Sequence, residues 1–288
     1  MSGTRMVIHA DDVGMCNGAN AAFEELQVVG VVSAGSVMVP CPWFTDLAQR
    51  AAQRPSLDIG VHLTLNSEHA GYRWGPVSAA GPSSGLVDEH GFLWRTVAHV
   101  RQHAHPDAVE AEWRAQIARA LHAGIDVTHL DAHMGSALAP EWCDRYVALG
   151  AEYGVPALIT SRLSGYDPHN HLADVTDEMF DRFVQQARAA GMPVFDRVLE
   201  TDFGRARGAA VDYETKLHSG GDGLVYCAFH PCKPGPGEVE VIEPHAHHVR
   251  VDEYELFRTD EWVTWLQAQP FEVVGMRELR DEMRAGLS

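Results

Sequence analysis

Short β-branched runs alternate with amphipathic helical stretches along the whole chain, and this restricts the fold to a parallel sheet packed against helices. The first apolar run, Met6 to Ala10, gives way to a helical pattern over 17–29 with Ala21, Ala22, Leu26 and Val29 inward and Gly30 at its end. A β-branched run over 31–40, a helix over 43–54 stopped by Pro55 and a strand over 58–65 follow. Further helices are predicted over 107–123, where Val109, Trp113, Ile117 and Leu121 fall every fourth residue, and over 140–152. Another runs from a Thr176 cap to Gly191 with Met179, Phe180, Phe183 and Val184 inward. Strands are predicted over 127–133, 157–161, 193–199, 224–229 and 271–274, the last preceded by a helix carrying Trp262, Trp265 and Leu266. No repeat, linker or break in composition interrupts these units in 288 residues. The prediction is therefore one α/β domain over 1–288, a single distorted parallel β/α (TIM-like) barrel with seven or eight strands and long loop insertions. A doubly wound parallel sheet is the alternative.

Ionisable residues gather at the C-terminal ends of the predicted strands, the face on which such barrels carry chemistry. Asp11 and Asp12 close the first run, His62 lies near the end of the third, and His129-Leu130-Asp131-Ala132-His133 ends a fourth. Arg162 follows the run over 157–161, and His230-Pro231 stops the run over 224–229. Successive strand residues point to opposite faces, so His129, Asp131 and His133 share a side, about 6 to 7 Å apart per step of two. By the same rule Asp11 and Asp12 diverge unless the strand is already breaking there. Two anions with different roles suit a metal ligand beside a general base. Asp131 and His129 read as partners that orient ligand imidazoles through their other nitrogen. Arg162 reads either as a group that orients Asp11 or stabilises charge, or as one half of a structural ion pair.

A formal charge of −18 disfavours nucleic acid and anionic membranes as partners, because phosphate binding needs clustered Lys and Arg. It fits a neutral or cationic small molecule or oligosaccharide, and equally an acidic surface that aids solubility. No run of about 18 apolar residues and no signal pattern at the N-terminus are present, so a cytoplasmic location is expected. Five scattered cysteines argue against a disulfide framework, and the Cys227/Cys232 spacing is atypical of a structural zinc site. Three stretches, 66–106, 203–222 and 233–248, are irregular; the last holds His245, His247 and His248, read as a solvated loop. The first leaves the predicted barrel directly after His62, so it is expected to form part of the substrate cleft, with Trp74 and Trp94 as substrate-binding residues that stack on a sugar; a local packing cluster under the loop is the alternative. A monomer and a homo-oligomer both remain open.

Four motifs, His9-Ala-Asp11-Asp12-Val-Gly, Gly60-Val-His62-Leu-Thr-Leu, His129-Leu-Asp131-Ala-His133 and Phe229-His230-Pro231, in this order along nearly the whole chain, resemble those of the YdjC-type carbohydrate deacetylases, which include chitooligosaccharide deacetylases. The resemblance implies a distorted β/α barrel and metal-dependent removal of an N-acetyl group. It further implies that Asp12, His62 and His133 hold one divalent ion, that Asp11 is the general base and that His230 is the general acid. Zinc leads for one Asp with two His, with Mg, Mn, Fe, Co or Ni also compatible. The chain departs from the family pattern at His9, where the family usually has Asn, and at Met134-Gly135-Ser136, where further histidines often follow. Those departures leave open which amino sugar or other amide is the substrate. A deacylase acting on a non-chitin small molecule, a phosphoesterase and a non-catalytic sugar-binding module are the rival readings; the phosphoesterase is opposed by the lack of a basic cluster or Gly-rich cradle.

Overall fold

The computed structural model describes residues 3–166, 171–209, 212–235 and 238–286. Its strands are β1 (Arg5–Val13), β2 (Ala34–Val37), β3 (Ile59–Leu63), β4 (Val127–Ala132), β5 (Arg197–Glu200), β6 (Leu224–Phe229) and β7 (Glu272–Val273). All pair in parallel, in the order β4-β3-β2-β1-β6-β5, with β7 against the first residues of β1. Helices join successive strands and cover the sheet, so the strands read as continuous apolar runs. Met6, Val7 and Ile8 are at most 1% exposed.

The sequence predicts a strand over 157–161. The structure instead holds this segment by isolated parallel bridges, Ala157 with Leu130 of β4 and Thr160 with Phe195, just before β5. Bonds from Leu158 N to Leu130 O and from Ser161 N to Phe195 O back these bridges. Helix faces follow the predicted spacing with shifts at their margins. Phe23 and Leu26 are buried on Asn17–Val28, and Val109, Trp113 and Ile117 on Pro106–His122. Val29, Leu121 and Met179, each predicted inward, are exposed.

Two irregularities in the ladder shape the site. Between Ala10 and Val13, β1 carries one residue more than its β2 partners Gly35 to Val37. Between Val127 and Leu130, β4 likewise carries one more than Ile59 to Val61 of β3. Such bulges re-aim side chains. At the first, Asp12 adopts φ 59°, a left-handed conformation that a non-glycine residue holds only when its surroundings fix it.

The irregular stretch after β3 is folded rather than loose. It contains the helix Val97–His103, bridges Asn66 with Trp94 and Val87 with Leu93, and buries Leu86, Leu93 and Val100. Its anchor is Glu112, whose carboxylate accepts from Val77 N (2.9 Å) and Ser78 N (2.8 Å). The stretch over 233–248 is also partly helical. His247 opens the helix His247–Phe257, which sequence periodicity did not reveal. Among the described residues no helix is long and apolar enough to cross a membrane.

A prediction follows for Gly60, where an added Cβ would lie 2.5 Å from the His129 ring. Gly60→Ala should destabilise the fold by about 1 to 3 kcal/mol, the usual cost of overpacking a core. Thermal unfolding measures this; an unchanged midpoint would mean that the His129 ring yields without cost.

Candidate metal centre and active site

Because Asp12 turns left-handed at the β1 bulge, its carboxylate joins that of Asp11 over one cavity at the C-terminal end of the sheet. β3 brings His62 to this cavity, the end of β4 brings His133, and the chain leaving β6 brings His230. The cavity holds about 230 Å³. Asp12 and His62 are each 1% exposed and His133 5%.

One ligand atom from each of Asp12, His62 and His133 lies within 4.8 Å of the others. Asp12 Oδ1 is 3.4 Å from His62 Nε2 and 3.1 Å from His133 Nδ1. The far nitrogens settle the tautomers. Ser36 Oγ donates to Asp131 Oδ2 (2.9 Å), so His62 Nδ1–H serves Ser36 Oγ (2.9 Å) and Asp131 Oδ1 (3.0 Å). Tyr226 Oη also donates to Asp131 Oδ2 (2.9 Å). His133 Nε2–H donates to Glu68 Oε2 (3.0 Å). Each imidazole therefore keeps a carboxylate behind it and turns its other nitrogen toward Asp12, the arrangement usual around ligand histidines. At 3.4 and 3.1 Å from Asp12 Oδ1, these two nitrogens, once they give up their protons, match the spacing of donors around a shared small divalent ion with bonds of about 2.0 to 2.2 Å. The residues present fit such an ion.

The electrostatics agree. Burial alone would raise Asp12, yet Arg250, with His133 and His62, holds its carboxyl well below the usual range. Arg250 Nη1 meets Asp12 Oδ2 at 2.8 Å, and its Nε meets Glu243 Oε2 at 2.5 Å. Burial would lower His133, but Glu68 and Asp12 push it up to about 9. His62 is likewise raised against burial, by Asp131 and Asp12.

Asp11 is held differently. Its Oδ1 lies 2.6 Å from His9 Nδ1, leaving Oδ2 toward the cavity, 3.8 Å from His230 Nε2. Burial, with Asp131 and Asp12 adding, pushes its carboxyl well above the ordinary range. His230 is fixed from behind: Thr201 Oγ1 donates to Glu253 Oε1 (2.7 Å), so His230 Nδ1–H donates to Thr201 Oγ1 (2.8 Å). Glu253 also accepts from His230 N (2.7 Å) and Tyr213 Oη (2.8 Å). The bare Nε2 of His230 therefore faces Asp11 and Asp12, and burial holds the imidazole well below its usual range.

Of the residues singled out from the sequence, Asp11, Asp12, His62, Asp131, His133 and His230 line this cavity. His129 lies beneath it against His9, Nε2 to Nε2 at 2.9 Å. Three others lie elsewhere. Arg162 is exposed, flanking the turn Leu163–Gly165, and its charge acts on Asp177. Trp74 is 4% exposed with its Nε1 on Asn66 O (2.8 Å), so it packs 6.3 Å from the His133 ring instead of offering a face to a ligand. Trp94 stacks on His103 at 4.6 Å and donates to Gly85 O (2.8 Å), away from the cavity lining. The guanidinium at the site is Arg250, which sequence reasoning missed along with Glu68, Ser36 and Tyr226. Val249, Tyr254 and Phe257 are buried on the helix that carries Arg250, but the buried Arg250 and Glu253 between them break the apolar spacing that would have signalled it.

Comparisons with known proteins bear on the chain as a whole. Over 160 residues, 56% of this chain and 55% of the relative, the chain is 32% identical to a carbohydrate deacetylase of Thermus thermophilus. It is 31% identical to one of Brevibacillus brevis over 176 residues, 61% of this chain and 67% of the relative. To one of Thermoanaerobacter pseudethanolicus it is 27% identical over 155 residues, 54% and 60%. The matches thus span between about half and two thirds of those relatives' lengths. A crystal structure from Enterococcus faecalis V583, named a "putative cellobiose-phosphate cleavage protein", shares the fold with a TM-score of 0.75 at 19% identity, covering 96% of this chain and 99% of its own. The model of the YdjC-like family matches residues 5–268, and the chain belongs to that family.

Proposed function

We propose that this protein is a metal-dependent carbohydrate N-deacetylase that hydrolyses the acetamido group of an amino sugar or short N-acetylated oligosaccharide. The observation that carries the reading is one buried cavity where two carboxylate-backed imidazoles and an ionised carboxylate converge beside a second, differently held carboxylate. The family membership and the relatives named carbohydrate deacetylases support it.

Asp12, His62 and His133 would hold the ion, with zinc the leading candidate. Once bound, it supplies Lewis acidity toward an amide carbonyl and toward water. Asp11 does the proton work: with Oδ1 occupied by His9, Oδ2 is the oxygen placed to take a proton from water entering the cavity. His230 presents a bare Nε2, so it can pass a proton to the departing amine only after receiving one, and Asp11 Oδ2 at 3.8 Å is the nearby carboxyl able to supply it. Arg250 keeps Asp12 ionised and is the single Lys or Arg among the described residues lining the cavity. Bound on both sides by Asp12 and Glu243, it is not disposed to receive a phosphate or carboxylate, which favours an uncharged substrate. Tyr166, Leu158 and Phe203 give the cavity an apolar wall suited to a sugar face or to the acetyl methyl.

Acetate release from N-acetylated sugars tests the reading, with N-acylated non-sugar amines as the comparison. His62→Ala should lose bound metal and acetate release together while remaining folded; a variant that keeps one metal per chain would overturn the ligand assignment. Asp11→Asn should keep the metal and lose about 10² to 10⁴-fold in kcat, the worth of a general base. Metal lost from that variant but kept by Asp12→Asn would reverse the two roles.

Arg250→Met should cost about 3 to 5 kcal/mol in the metal-free protein, because Asp12 would remain buried, and Glu243 half-buried, without their cation. Chemical denaturation reads this directly, and a loss below about 1 kcal/mol would show that the guanidinium is not what sustains them.

A further inference from the structure

Beneath Asp11 a row of buried polar groups runs down through the sheet. Asp11 Oδ1 meets His9 Nδ1 at 2.6 Å, and His9 Nε2 meets His129 Nε2 at 2.9 Å. His129 Nδ1 meets Thr128 Oγ1 at 2.9 Å, and Thr128 Oγ1 meets Asp58 Oδ1 at 2.5 Å. His9, Thr128 and His129 are 0% exposed. Asp58 precedes β3, at the end of the sheet opposite the cavity, and lines an open cleft with Gln27, Ser33, Gly275 and Arg277. Its other oxygen accepts from Arg277 N at 2.7 Å. The β4 bulge and the missing side chain at Gly60 let the His129 ring lie in this row.

We propose that Asp11, His9, His129, Thr128 and Asp58 form one continuous proton path between the floor of the cavity and the opposite end of the sheet, with His9 the residue that positions Asp11. The inference rests on the deacetylase reading for the role of Asp11, but the path itself does not.

Counting protons gives the path its character. The row makes four hydrogen bonds and each needs one proton. Two neutral imidazoles and one hydroxyl supply three, so the row holds a fourth. Thr128 Oγ1 donates to Asp58 Oδ1, so His129 Nδ1–H donates to Thr128 and His9 Nε2–H to His129, which leaves the fourth proton in the 2.6 Å contact between His9 Nδ1 and Asp11 Oδ1. Moving it from one end to the other shifts each of the four protons across its own bond. No bond between heavy atoms breaks and the total charge is unchanged. The groups that face His9 from the surrounding strands, Asp131 at 3.8 Å and Tyr226 stacked at 4.8 Å, fix the ring in place. His9 also holds Asp11 Oδ1, which leaves a single oxygen for the cavity.

Two measurements test this. In metal-free wild-type protein, ¹⁵N spectra should show a coupling across the His9–His129 hydrogen bond, with the pair sharing one proton between the two Nε2 atoms. Two rings without such a coupling would overturn the path. Thr128→Val removes the hydroxyl that His9 and His129 separate from Asp11, while keeping its shape and leaving the metal ligands untouched. It should lower kcat by about 10- to 100-fold, the usual cost of losing an outer partner of a site group. KM and metal content should stay unchanged, the solvent isotope effect should be altered, and Thr128→Ser should restore wild-type behaviour. A folded Thr128→Val with wild-type kcat and isotope effect would overturn the path. Absence of acetate release from wild type would instead count against the deacetylase reading, and the coupling measurement would still decide the path.

Discussion

The Asp12 carboxylate is the point on which the site is built, because one ionised oxygen pair answers two imidazoles and a guanidinium inside the protein. Its Oδ1 faces His62 and His133, and its Oδ2 binds Arg250. A buried carboxylate with these partners is sustained only when all are in place, and each comes from a different part of the chain: β3, the end of β4 and the helix His247–Phe257. The left-handed backbone at Asp12 has the same dependence. A conformation of that kind costs about 1 to 3 kcal/mol and persists where surrounding contacts over-determine it. Strain in the backbone and charge in the side chain are thus secured by one set of contacts.

Much of this was legible in the sequence, for a stated reason. A strand buried on both faces has few uses for a charged side chain, so Asp12, His62, His133 and His230 at the ends of apolar runs stood out. The fold brings all four around one cavity. What alternation could not tell was how Asp11 and Asp12 reach the same space, since regular pleating sends them apart. The answer is a bulge, which depends on how β1 registers against β2 and has no signature in either strand alone. Arg250 was hidden for a related reason. It lies on a helix whose buried side carries the polar residues Arg250 and Glu253 among its apolar ones, so polar and apolar positions do not separate into two faces along the sequence.

The aromatic residues of the stretch after β3 show the opposite error. Trp74 and Trp94 sit among Gly, Pro and Ser, a composition that suggests an open loop, yet Trp74 is buried and Trp94 stacks on His103. A loop anchored by Glu112 and holding its own apolar cluster buries its large side chains beneath it, as compact loops do. What this stretch brings to the cavity is Glu68, whose carboxylate fixes His133 from behind. Trp74 packs against the same imidazole ring, so the insertion sets the orientation of a ligand residue.

That arrangement bears on how charge balances at the site. Glu68, Asp131, Asp12 and Asp11 are four buried or half-buried carboxyls around two imidazoles, with Arg250 the single guanidinium in the lining of the described residues. Glu68 and Asp12 raise His133, and Asp131 and Asp12 raise His62, so both rings carry a strong demand for positive charge at the nitrogens facing Asp12. A divalent ion brings two positive charges to the place where two imidazolium protons would otherwise sit, so the exchange of protons for metal is close to neutral in charge. The carboxylates behind the rings therefore serve either occupant. They also leave Asp11, whose partner His9 is an imidazole that burial keeps neutral, as the carboxyl with the weakest hold on its negative charge. A base adjoining a strongly ionised ligand needs that contrast, and here it comes from which partner each of two neighbouring carboxylates meets.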